Sequence, residues 1–192
     1  MAGHVILCDL LVLGYPSMIP LCPIVLGLVS SWEGGVSEVE GVFESQMEVL
    51  YGLSCVIEAA SDVLIRSIWY WNDRWIVRGL IAMAGSGNYK TRRIAISMAT
   101  TLIMKVPAQE VADAVTVGVL DELMGFYFDS GQVKGGIAEL MNKIIPSFSE
   151  LGRGRDLFNM LTDINFIERL TATGDENCMM SGILDAISLL EN

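Results

Sequence analysis

A chain of 192 residues, 52% hydrophobic and 18% charged, is too apolar to be disordered and long enough to bury a sizeable core. Its 23 Asp and Glu against 12 Lys and Arg give a net charge of -11. That balance excludes a nucleic-acid binder, which needs clustered cations, and suits a basic protein or peptide partner.

The cysteines, Cys8, Cys22, Cys55 and Cys178, form no CxxC pair and no zinc spacing. We read them as free buried thiols in a reducing compartment, the cytoplasm or the nucleus.

Residues 4–32, "HVILCDLLVLGYPSMIPLCPIVLGLVSSW", are strongly apolar, but Asp9, Pro16, Pro20 and Pro23 interrupt them. A membrane-spanning helix wants about 20 unbroken apolar residues, and no basic flank marks a signal peptide. The segment predicts two short buried helices joined at "GYPSMIP", with membrane association as the alternative. "WEGGVSEVEG" then reads as a Gly-rich acidic linker.

Residues 66–93, "RSIWYWNDRWIVRGLIAMAGSGNYKTRR", hold three of the four tryptophans. Trp69 and Trp71 read as core. Trp75, with Arg74 and Arg78, is a candidate partner-binding cluster on a concave groove, where an aromatic face beside a guanidinium makes a peptide hot spot. "AGSGNYKT" is not a phosphate loop: Tyr89 rather than Gly precedes Lys90, and a helix rather than a strand leads into it. Lys90, Arg92 and Arg93 read as an exposed solubilising face.

Helical periodicity runs through the rest, and strand alternation is nearly absent. Ile94, Ala95, Met98, Leu102 and Met104 recur near helical spacing. Val115, Val119, Leu123 and Phe126 form a second stripe, and Phe158, Leu161, Phe166 and Leu170 a third. Turn signals separate these runs. Ser86 in "GSGN", Ser130 in "DSGQ" and Gly174 in "TGDE" follow one another at 44-residue intervals. Such a period marks stacked two- or three-helix units, each of which covers its apolar faces only against a neighbour. The chain therefore predicts an all-α fold, one domain over 1–192. It would comprise a partial repeat at 1–43, repeats at about 44–88, 89–132 and 133–177, and a terminal helix at 178–192.

"VTVGVLDELMGFYFDSG" resembles the third helix of an armadillo repeat, and "GSGNYKTRRIAISMATTLI" the turn and the two helices that follow it. "TGDENCMMSGILDAISLLEN" is similar to the ending of the importin-alpha branch of that family. The resemblance covers residues 66–192 well and the first third loosely. It implies a right-handed α-solenoid of three to four armadillo-like repeats whose last helices line a concave groove for an extended peptide. It also implies a nuclear-import adaptor as the specific role. Importin-alpha reads basic targeting peptides with a Trp and, four residues on, an Asn. The matching helices here carry Ser97 and Thr101, or Ala138 and Asn142. Asn142 alone fits, and the basic arm typical of that family does not precede the repeats.

Catalysis has little support. His4 is the only histidine and lies near the chain start; no nucleophile and base pair up, and no metal or cofactor motif occurs. Of the neighbouring carboxylates Asp121 and Glu122, Glu122 is the candidate groove residue, since adjacent helical positions point apart. Asp175 and Glu176 read as solvated. The expected function is a non-enzymatic scaffold with a protein or peptide partner and no cofactor. An armadillo-type cochaperone that opens a chaperone's nucleotide-binding domain is the alternative. An exposed repeat end would favour homo-oligomers.

Overall fold

The computed structural model describes residues 42–70, 75–85, 89–129, 134–172, 183 and 185–188. Among them there is no strand. The helices are α1 (Val42–Ala59), α2 (Asp62–Trp69), α3 (Trp75–Gly85), α4 (Tyr89–Lys105), α5 (Ala108–Ala114), α6 (Val117–Asp129), α7 (Lys134–Glu150), α8 (Gly154–Asp163) and α9 (Phe166–Ala172). Residues 185–188 are helical too. The chain divides into two compact units, 1–105 and 106–192. The expected apolar helices of 4–32 and the turns at 86–88 and 173–177 lie outside the described residues.

Helix lengths recur. α1, α2 and α3 have 18, 8 and 11 residues; α4, α5 and α6 have 17, 7 and 13; α7 and α8 have 17 and 10. Each long helix is thus followed by a short one.

In the first unit α4 packs against α1, α2 and α3. Its sequence holds neither Gly nor Pro, and it buries Ile94, Ala95, Met98, Ala99, Leu102 and Ile103 along one side. That stripe makes residues 89–105 a single helix, where the family resemblance implied a turn followed by two. Thr101 does not break it, because its Oγ1 donates to the Ser97 carbonyl at 2.9 Å. Met104, expected on the apolar stripe, is 57% exposed. The core between these helices includes Leu50, Leu53, Ile57, Ile65, Ile68, Ile76 and Leu80, with Trp69 wholly buried among them as expected. Trp71 lies outside the described residues.

Two contacts fix the direction of α1 against α4. Near their starts, the buried Thr91 Oγ1 lies 3.6 Å from Met47 Sδ. At their ends, Lys105 Nζ donates to the carbonyls of Ile57 (2.9 Å), Glu58 and Ala60 (3.4 Å). Start meets start and end meets end, so the two long helices run parallel. The lysine also satisfies carbonyls that every helix C-terminus leaves without an in-helix donor, and sets a cation at the negative end of the dipole.

The units meet in sequence between Lys105 and Val106, just before Pro107, whose extended backbone (φ -60°, ψ 153°) caps α5. Proline lacks the N–H that would continue α4. In the second unit α7 packs on α5, α6 and α8, and α8 also touches α6 and α9. Thr116 Oγ1 accepts the Val119 N–H at 3.3 Å and caps the start of α6.

α7 closes on Gly152, at φ 67°. The Arg153 N–H reaches back to the Phe148 carbonyl (2.8 Å) and the Gly152 N–H to Ser149 (3.0 Å). This paired closure needs a left-handed residue just past the helix.

The run 157–170 is two helices, because Asn165 takes a positive φ of 54° between them. Leu161, Phe166 and Leu170 are still buried, and Phe158 is half-buried. Arg169 covers the Phe128 ring at 4.2 Å, and Phe128 meets Phe166 at 6.1 Å, which ties α6 to α9.

Candidate functional site

A cleft of about 620 Å³ opens between the parallel helices α1 and α4. Tyr51, Ser54, Cys55 and Glu58 line it from α1, and Tyr89, Lys90, Arg93, Ile94 and Ser97 from α4. The α1 residues are spaced i, i+3, i+4, i+7, which is one face of a helix; the α4 residues fall on one face by the same rule. The two helices therefore each turn a mixed stripe toward the cleft while their apolar stripes go into the core. Tyr51 is 48% and Tyr89 46% exposed, whereas Ile94 is buried. Ser54 Oγ donates to Glu58 Oε1 at 3.5 Å. The volume lies within the range of sites that hold small organic groups or a few side chains.

Chemically the cleft offers two phenol faces, two hydroxyls, two cations and one carboxylate. Ser54 has the Glu58 carboxylate as its neighbour, and no histidine is among the lining residues. Among the described residues no group of three His, Cys, Asp or Glu is placed to hold a metal ion. The buried polar side chains among them are Thr91, Thr100 and Ser147, none of them charged. No described helix is long and apolar enough to cross a membrane.

The sequence-derived site residues fall elsewhere. Arg74 lies outside the described residues. Trp75 opens α3, and its side chain is likewise outside them. Arg78 is exposed on α3. Glu122 and Asp121 are both exposed on α6. Asn142 is exposed on α7, one turn before Pro146. That proline has no N–H for the Asn142 carbonyl, so the usual i+4 backbone bond is missing there. Arg78 belongs to the first unit, Glu122 and Asn142 to the second.

Tyr51, Ser54, Glu58 and Tyr89 were not singled out by the sequence. Lys90 and Arg93, whose sequence reads as a solubilising face, are both exposed and also line the cleft. The signal that finds them is the stripe of non-apolar positions along each long helix. Aligned by helix start, Ser97 and Asn142 are equivalent exposed positions of α4 and α7, while the same position of α1 is the buried Leu50. Ala138, the other resemblance-based position, is buried. No family model matches the chain, and no curated protein is similar to it in sequence.

Proposed function

We propose that this chain is a non-enzymatic scaffold of the armadillo-like type. In this reading stacked three-helix repeats wind into a right-handed α-solenoid, and an extended segment of a protein partner lies across their long helices. One observation carries it: α1 and α4 pack in parallel through contacts 44 to 48 residues apart, and a cleft stays open on their outer side. Neighbours in an up-and-down bundle run antiparallel. Parallel packing of equivalent helices, with two shorter ones between them in sequence, is what a translational repeat produces. The starts of α1, α4 and α7, at Val42, Tyr89 and Lys134, keep nearly the stride read from the turns.

The specific role that the family resemblance favours is nuclear-import adaptor, shuttling between cytoplasm and nucleus. The net charge of -11 would draw basic partners toward the chain at long range. Ser97 and Thr101 stand where that branch carries its Trp and Asn, so contacts with the guest would differ in kind.

Affinity purification with mass spectrometry tests the reading. Ser97→Arg fills the cleft from a surface position, and Tyr51→Ala removes an aromatic wall. Each is expected to lower partner recovery by about tenfold, the scale of one hot-spot residue, with helix content unchanged by circular dichroism. Arg78→Ala, on α3, serves as the comparison. An identical partner set from all three variants would refute the scaffold assignment.

A further inference from the structure

We infer that the α1–α4 cleft accepts an extended peptide segment carrying a carboxylate side chain next to an aromatic or large aliphatic one, although the chain as a whole is acidic. The inference rests on the scaffold reading and specifies its guest. Basic residues number 12 against 23 acidic in the chain, yet the cleft carries Lys90 and Arg93 against Glu58 alone. Its local charge is thus opposite in sign to that of the chain.

Position sharpens the point. Lys90 and Arg93 lie in the first two turns of α4, and Glu58 in the last turn of α1. Because the helices run parallel, the cations stand at one end of the cleft and the carboxylate at the other. With Thr91 level with Met47, the helical rise separates Glu58 from Arg93 by about 13 Å and from Lys90 by about 18 Å along the axis, or about four to five residues of an extended guest. A carboxylate entering at the basic end meets a guanidinium whose planar fork takes both of its oxygens. Next to it Tyr51 and Tyr89 present half-exposed rings, which reward an apolar neighbour. Ser54 and Ser97 offer hydroxyls to the guest's backbone. Glu58 disfavours a second carboxylate beside its own.

Lys90 is engaged in a contact of its own, so Arg93 is the discriminating residue. The test is selection of phage-displayed random decapeptides on the full chain and on Arg93→Glu, followed by affinity measurement on the enriched peptides. Wild-type protein is expected to enrich Asp or Glu beside Phe, Tyr, Trp or Leu. Replacing that acid by Lys should weaken binding by about tenfold or more. Arg93→Glu should shift the enrichment to Lys or Arg. A bound acidic decapeptide should slow site-resolved alkylation of Cys55. Enrichment of basic peptides on the wild type, blocked by Ser97→Arg, overturns the charge assignment and leaves the scaffold standing. Absence of any enrichment, with Cys55 alkylation unaffected, overturns both. Enrichment that Arg93→Glu does not change places the acid elsewhere and overturns the inference.

Discussion

Single residues decide where these helices stop. Gly152 is the clearest case: at φ 67° a Cβ meets no atom within 4 Å, so the whole effect of adding one is conformational. Gly152→Ala is expected to cost about 1 kcal/mol, the usual penalty for a left-handed alanine. Denaturant unfolding checks it as a lower midpoint with an unchanged slope. No loss of stability would mean that α7 ends some other way. Asn165 holds the same backbone region without being glycine, which Asn tolerates better than other side chains. The sequence marked Gly152 through the turn "ELGRGRD". Asn165 stayed hidden, because the apolar spacing of Leu161, Phe166 and Leu170 runs through it unbroken. Trp75 drew attention by size and by Arg74 and Arg78 beside it. The aromatic residues that line the cleft, Tyr51 and Tyr89, are smaller and sit in apolar or basic runs that look ordinary.

Among elements, the pairing of α1 with α4 carries most consequence, and Lys105 holds its far end. The long aliphatic stem lets one ammonium reach three carbonyls of a helix end that has no glycine closure. Lys105→Met keeps the stem and deletes the charge. It is expected to cost about 1–2 kcal/mol and to raise hydrogen exchange in the last turn of α1 ahead of the rest of the unit. Uniform protection across α1 in the variant would show that the lysine does not secure that end. The fold class was legible from the sequence because helical spacing is a local property: the apolar stripe of α4 can be read without knowing its partner. The 44-residue stride is read from the glycine-rich turns alone. Less legible was which helix is long and which face stays open. Nothing local tells a buried Ala138 from an exposed Asn142 until the neighbouring helix is in place. The α1 side of the cleft was the hardest to see, since a linker rich in Gly and Glu obscures the stride before it.

On the scale of the whole molecule two fields of opposite sign act on an acidic guest. The net charge of -11 repels it at a distance, while Arg93 and Lys90 attract it at contact. Salt separates the two. The screening length is about 10 Å at 0.1 M ionic strength, so added salt removes the long-range repulsion first and weakens a close guanidinium–carboxylate contact less. Association of an acidic peptide should therefore speed up by a few-fold between about 0.02 M and 0.2 M salt, while its dissociation also quickens modestly. A basic peptide should associate more slowly over the same range. Stopped-flow fluorescence with the two peptides reads both rates. If the acidic peptide slows on addition of salt, the cleft's own cations govern approach as well as contact, and the acidic remainder of the chain exerts no steering. Equal acceleration of both peptides would remove charge from the recognition altogether and leave the tyrosine faces as its only determinant.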